Sequence, residues 1–139
     1  MKIRSMIAAF AATGAMAGTG VAIAPAAMAD SICGAGYTQF YSVDIYAPVH
    51  LYAGTVKVFD SPNNSKCVYF TVSSSTKGSD GWSHSINISP HNSTASHHDT
   101  GYYNSYAGPL WESAPTCVDV WGSVSGPDDK TFSYPNLCH

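Results

Sequence analysis

The sequence predicts an all-β protein: a single small disulfide-stabilised β-sandwich or barrel behind a cleaved signal peptide. Three observations carry that expectation. Strong helix formers are scarce after residue 29, with three Leu, one Glu, one Gln and neither Met nor Arg, while Ser and Thr together number 26. Such a composition suits pleated, half-buried surface better than helix. Hydrophobic residues alternate with period two, most clearly over residues 82–89, where Trp82, His84, Ile86 and Ile88 share one face and Ser and Asn the other. Four cysteines, Cys33, Cys67, Cys117 and Cys138, form an even set with no C-x-x-C spacing for zinc or thioredoxin-type chemistry. In a short exported chain they read as two disulfides.

Residues 1–29 read as a secretory signal peptide. Lys2 and Arg4 give the positive start, Met6 to Ile23 the apolar stretch, and Ala27-Met28-Ala29 the small-x-small cleavage site. Three glycines and Pro25 set the segment apart from a membrane span. Residues 30–139, 110 in all, then form one β domain with a modest core. A first strand is expected over 37–45. Residues 55–60 and 67–73 make a hairpin through Ser61-Pro62-Asn63-Asn64-Ser65-Lys66. The alternation of Val68, Phe70 and Val72, the Asp80-Gly81 turn signal and the strand at 82–89 predict a second hairpin. Residues 89–100 are the longest polar stretch and read as an exposed loop. Further strands are expected at 101–106, 110–113, 117–124 and 131–134, about seven in two layers.

Charge excludes several partners. After the signal, four lysines face eight aspartates and Glu112, a net −5 with no arginine. A nucleic-acid binder needs clustered cations to displace counterions, and anionic lipid needs the same, so neither nucleic acid nor membrane is an expected partner of the mature chain. Leu, Ile, Val and Phe supply only 20 of the 110 residues, so nine Tyr and three Trp must provide much of the core.

Candidate chemistry is thin. His91, His97, His98 and Asp99 lie in or beside the polar stretch, but a loop without supporting groups does not fix metal geometry, so no metal and no cofactor is expected. His84, on an apolar strand face, reads as a hydrogen-bonded core histidine. Ser, His and Asp are abundant, yet no G-x-S-x-G context selects a nucleophile, and nothing fixes a spacing between Glu112 and Asp119 for glycosidase chemistry. No catalytic residues are assigned. Asn63-Asn64-Ser65, Asn87-Ile88-Ser89 and Asn92-Ser93-Thr94 match the N-glycosylation pattern, which arises by chance in so Ser/Thr-rich a chain. Tyr102, Tyr103, Tyr106, Trp111 and Trp121 are divided between core packing and a binding face; carbohydrate binding through Tyr103, Tyr106 and Trp111 requires those rings to be exposed together.

Residues 101–122 carry a more specific signal. Gly101-Tyr102-Tyr103-Asn104-Ser105-Tyr106-Ala107-Gly108-Pro109-Leu110 leads through Ser113-Ala114 to Cys117-Val118-Asp119-Val120-Trp121-Gly122. This block resembles the spore-associated protein A family, small secreted proteins of sporulating filamentous bacteria. The likeness extends to Cys33-Gly34-Ala35-Gly36-Tyr37, Gly54-Thr55-Val56, Asn64-Ser65-Lys66-Cys67-Val68 and Cys138, and so spans most of the mature chain. It departs at residues 82–99, longer and richer in His, and at Val120, an extra residue before Trp121-Gly122. The resemblance implies export, association with the spore or cell surface and partners among spore or cell-wall components. It implies no enzymatic activity and transfers no functional residues beyond the four cysteines.

The expectation is therefore a secreted, non-enzymatic, spore- or cell-surface-associated protein, extracellular or on the spore. An inhibitor of an extracellular protease or glycosidase and a carbohydrate-binding module are the alternatives. For the disulfides, the expected pairing is nested, Cys33–Cys138 with Cys67–Cys117, because domain termini often meet at the surface and Cys67 and Cys117 each begin a strand. The rival, Cys33–Cys67 with Cys117–Cys138, staples two local halves.

Overall fold

The computed structural model describes residues 31–113 and 116–139; the signal-peptide reading of residues 1–29 lies outside them. Eight strands follow one another: β1 (Thr38–Ala47), β2 (Leu51–Asp60), β3 (Ser65–Val72), β4 (Ser83–Pro90), β5 (His97–Gly101), β6 (Tyr106–Ser113), β7 (Cys117–Ser125) and β8 (Asp129–Cys138). They form two antiparallel four-stranded sheets, ordered β1-β2-β3-β6 and β5-β4-β7-β8. The protein is a small all-β sandwich with two disulfides.

Period-two alternation makes the core. Val56 and Val58 of β2, Val68 and Phe70 of β3, Ile86 and Ile88 of β4, and Val118, Val120 and Val124 of β7 all point inward and are fully buried. These residues join Ile45, Ala47, Ala53, Ala107 and Phe132 in one cluster drawn from both sheets. Aromatics fill the space that few Leu and Ile leave: Phe70 stacks on Phe132 across the layers at 5.9 Å, and Tyr41 meets Tyr134 at 5.7 Å. Gly122 makes room for this packing, since a Cβ there would lie 2.6 Å from Phe132 Cζ and 2.1 Å from the Ser85 carbonyl oxygen.

The β2–β3 hairpin forms as the sequence predicts, with Asn64 at positive φ in its turn. The expected hairpin of residues 68–72 with 82–89 does not. β3 pairs with β2 and β6, whereas β4 pairs with β5 and β7. Between them, two short 3-10 turns (Ser74–Thr76 and Gly78–Asp80) carry the chain from one sheet to the other. Thr76 anchors this crossover, buried with its hydroxyl donating to the Ala53 carbonyl at 2.9 Å. The polar stretch 89–100 is only partly a loop: β4 runs to Pro90, and β5 begins at His97 and pairs with β4 from Ile88↔His97 to His84↔Gly101. The strand expected at 101–106 is displaced accordingly, with β6 starting at Tyr106.

The nested disulfide expectation is wrong. The bridges are Cys33–Cys67 and Cys117–Cys138, the rival pairing. Register explains the second, because Cys117 and Cys138 face each other across β7 and β8. The first holds residues 31–37 against the outer face of β3, where Ile32, Cys33 and Tyr37 pack with Phe59, Cys67 and Tyr69. Both ends of the domain do lie at the same edge of the sandwich, since His139 reaches Asp60 at 3.1 Å, but a side-chain pair makes that contact.

Candidate functional site

The outer face of the β1-β2-β3-β6 sheet concentrates the exposed rings. Alternation places Asp44, Tyr46, Thr55, Lys57, Phe59, Cys67, Tyr69 and Thr71 on it, opposite the buried valines, and the register shift after Ile45 turns Tyr52 out beside Tyr46. On β6, an irregularity opposite Val68–Phe70 changes the parity, so that both Tyr106 and Trp111 face out. Of the large apolar side chains exposed to solvent, Tyr46, Tyr52, Tyr106 and Trp111 belong to this face, at 49%, 39%, 39% and 47% exposure.

Each ring is held by a neighbour. Tyr46 and Tyr52 are a cross-strand pair with centroids 5.7 Å apart. Tyr106 meets the edge of buried Tyr69 at 6.1 Å, and Tyr69 stacks on Phe59 at 5.5 Å. The Trp111 indole N–H donates to the Cys33 carbonyl at 3.2 Å, so the first disulfide also fixes this ring. Between the rings runs one register row across all four strands, Asp44–Thr55–Thr71–Tyr106. Within it the Thr55 hydroxyl donates to Asp44 Oδ1 at 2.8 Å and contacts the Tyr52 hydroxyl at 2.6 Å. The Thr71 hydroxyl donates to the Thr55 carbonyl at 3.2 Å. The result is a rigid surface of aromatic planes with hydroxyl and carboxylate oxygens between them. Tyr46 also borders a shallow cavity of about 290 Å³ at the β1–β2 turn, lined by Ala47, Pro48, Val49, His50 and Lys130.

The other sequence candidates are dispersed. Tyr103 is turned into the core and its hydroxyl donates to Asp99 Oδ1. That bond, with burial and the Asp99 charge behind it, pushes the phenol up to about 12. Tyr103 therefore drops out of the expected trio, and only Tyr106 and Trp111 share the face. Trp121 is half-buried on the second sheet and Tyr102 lies beyond β5. His91 Nδ1 pairs with Asp119 at 2.7 Å and His97 with Glu112 at 3.4 Å, so the two carboxylates weighed for glycosidase chemistry sit on different sheets, each with its own histidine. Among the described residues, no three His, Cys, Asp or Glu side chains gather as a metal site would require. Of the glycosylation-pattern asparagines, Asn63 and Asn92 are exposed, while Asn87 donates to the Trp121 carbonyl at 3.2 Å.

His84 is a core residue. It is 1% exposed beside Phe70, and neither ring nitrogen has a hydrogen-bond partner among the described residues. Burial holds its imidazole below the ordinary histidine value, and the Thr76 backbone opposes that only in part. Sequence reasoning also missed Lys66, whose ammonium is buried and paired with Asp60 at 2.6 Å. Burial raises the Asp60 carboxyl, but Lys66 and His139 outweigh it and hold the group below the usual carboxylate range. A lysine beside a turn carries no local sign of burial; only the inward parity of position 66, shared with 68 and 70, hints at it. Tyr46 and Tyr52 were missed because a hairpin turn separates them.

No family model matches this chain, and neither a curated protein nor a solved structure matches it. Among the described residues no helix is long and apolar enough to cross a membrane.

Proposed function

We propose that this is a secreted, non-enzymatic protein associated with the spore or cell surface, making contact through the outer face of the β1-β2-β3-β6 sheet. The observation that carries the reading is the set of four exposed rings on one face, each held in place by a neighbour. Rigid exposed aromatics lose little entropy on binding, which suits a contact surface. Two disulfides with no free cysteine among the described residues fit an oxidising destination, and the resemblance of residues 101–122 to the spore-associated protein A family supports the surface location. Fractionation of a sporulating culture tests it. The protein should sediment with spores or cell walls, and recovery wholly in the clarified medium would refute surface association.

A second reading, inhibition of an extracellular protease, is favoured by the tip of the β1–β2 hairpin. There Val49 is 88% exposed with φ 61, a left-handed conformation that β-branched residues rarely adopt. No disulfide braces this tip, since both bridges lie at the other end of the sandwich. Titration against subtilisin-like and trypsin-like proteases separates the two readings, as an inhibitor shows stoichiometric loss of protease activity.

A further inference from the structure

We infer that the ligand of the aromatic face is a neutral polysaccharide, an inference that rests on the surface-association reading and names what the surface holds. Three features of the face select this chemistry. A sugar ring presents apolar C–H groups on its faces and hydroxyls around its rim, so it needs aromatic planes and oxygen partners interleaved. Tyr46, Tyr52, Tyr106 and Trp111 supply the planes, and Asp44 and the tyrosine hydroxyls lie among them, with the buried Thr55 hydroxyl orienting Asp44 from below. Asp44 is exposed, and among the described residues only its Oδ1 is engaged, by Thr55. Its other oxygen can accept from a ligand hydroxyl.

Charge decides between neutral and anionic ligands. Among the described residues, the strand positions sharing this face carry one carboxylate, Asp44, and one ammonium, Lys57. A polyanion requires several clustered cations, which this face lacks. An anionic lipid surface requires the same, together with aliphatic side chains that the face does not present. Extent decides between a single sugar and a chain. The row from Asp44 to Tyr106 crosses three strand spacings, roughly 14 Å at about 4.8 Å each, and Tyr46 and Trp111 flank it on either side. The surface is therefore elongated along this row and bounded toward Trp111 by residues 31–37, the shape for the side of a polymer, where a monosaccharide would need an enclosing pocket.

The test measures depletion of the full mature, disulfide-bonded protein by microcrystalline cellulose, chitin and starch granules, with heparin resin as the polyanion. At least one neutral polysaccharide should retain the protein equally at low and high salt, and heparin should not. Tyr46→Ala and Tyr106→Ala should each weaken retention roughly threefold to tenfold. Tyr102→Ala, 70% exposed but outside this face, should leave it unchanged. Should either alanine variant misfold by circular dichroism, Tyr46→Leu and Tyr106→Leu keep apolar bulk without the ring and should weaken binding likewise. The inference is overturned if none of the three neutral polysaccharides retains the protein, if heparin alone does, or if folded ring variants bind as the parent does. These outcomes are distinct from failure of the surface reading. If the protein sediments with spores, and Tyr46→Ala and Tyr106→Ala release it, but no neutral polysaccharide binds, the partner is a protein and only this inference falls. If it binds a polysaccharide yet stays in the medium, only the surface reading falls.

Discussion

On the first sheet, the outer register row Asp44–Thr55–Thr71–Tyr106 lies among exposed rings. The corresponding row on the second sheet is Thr100–Ser85–Ser123–Thr131, four small hydroxyl residues side by side, with the Ser85 and Ser123 hydroxyls 3.2 Å apart. The next row, His98–Asn87–Trp121–Ser133, adds one half-buried ring. Both sheets satisfy the same inner requirement, a row of valines and isoleucines at alternate positions. Stability therefore leaves the outer positions open, and the second sheet fills one of these rows wholly with short hydroxyl side chains and the other with polar ones beside Trp121. The first sheet instead places four large rings in water and holds each against a neighbour. Equal inner faces and unequal outer ones point to the first sheet's exterior as the part shaped by something besides folding.

The largest test concerns the shared interior. Phe70→Ala and Phe132→Ala should each lower the unfolding free energy by about 3–5 kcal/mol in urea titrations, because the two rings stack across the layers. The double variant should cost less than the sum if the sheets share one core. Next come the bridges. Replacing the Cys33–Cys67 pair by serines should cost about 3.8 kcal/mol and the Cys117–Cys138 pair about 3.3 kcal/mol, in the order of their sequence separations, 34 and 21. Only the first replacement should also loosen Trp111, visible as changed tryptophan fluorescence, because the Cys33 carbonyl holds that indole.

A smaller effect should appear with pH. His84 has a folded value below its unfolded one of about 6.5, so its unfolded form binds protons more readily. Stability is then full above that pH and declines as pH falls below it. Asp60 and Asp119, also held below their unfolded values, add a second decline as pH falls below about 4 and through their folded values. For Asp119, burial raises the carboxyl, but the Asn136 N–H, His91 and the Asn92 N–H outweigh it. His84→Phe should remove the upper decline and leave the lower one, as read from urea midpoints between pH 3 and 8. Smallest of all are the outer faces: Tyr46→Ala should cost about 1 kcal/mol, whereas Ser85→Ala and Ser123→Ala should stay within about 0.5 kcal/mol. Comparable losses from both faces would erase the contrast between them.

What could be read from the residues followed from alternation, and what could not followed from connection. Residues 68–72 and 82–89 announce strands and their inward faces, yet not that they belong to different sheets. Asp80-Gly81 carries the composition of a hairpin turn, but a long-range bond from Thr76 to Ala53 commits the chain to cross over. β5, with the sequence HHDTG, has no apolar alternation and becomes a strand because the β4 edge offers it partners. The cysteines were legible as a set and not as pairs, since pairing follows from register. The candidate face was half legible. Tyr106 and Trp111 stand close in sequence, whereas Tyr46 and Tyr52 join them only through a hairpin and two further strand pairings. Tyr103 belonged to the same cluster in sequence and went inward to Asp99.

The placement of the two bridges has a mechanical consequence. Cys117–Cys138 joins neighbours within the second sheet, and Cys33–Cys67 ties the amino-terminal segment to a strand of the first. Neither cross-link spans the gap between the layers. Pulled apart, the sheets would part like the covers of a book, with both disulfides intact and, among the described residues, the connecting segments 73–82 and 102–105 as its spine. Resistance to such a load rests wholly on side chains meeting between the covers. A load applied along the strands of one sheet would instead be carried by that sheet's own hydrogen bonds and its bridge. A protein anchored through its first sheet would thus withstand drag along the anchoring surface better than a force lifting the second sheet away.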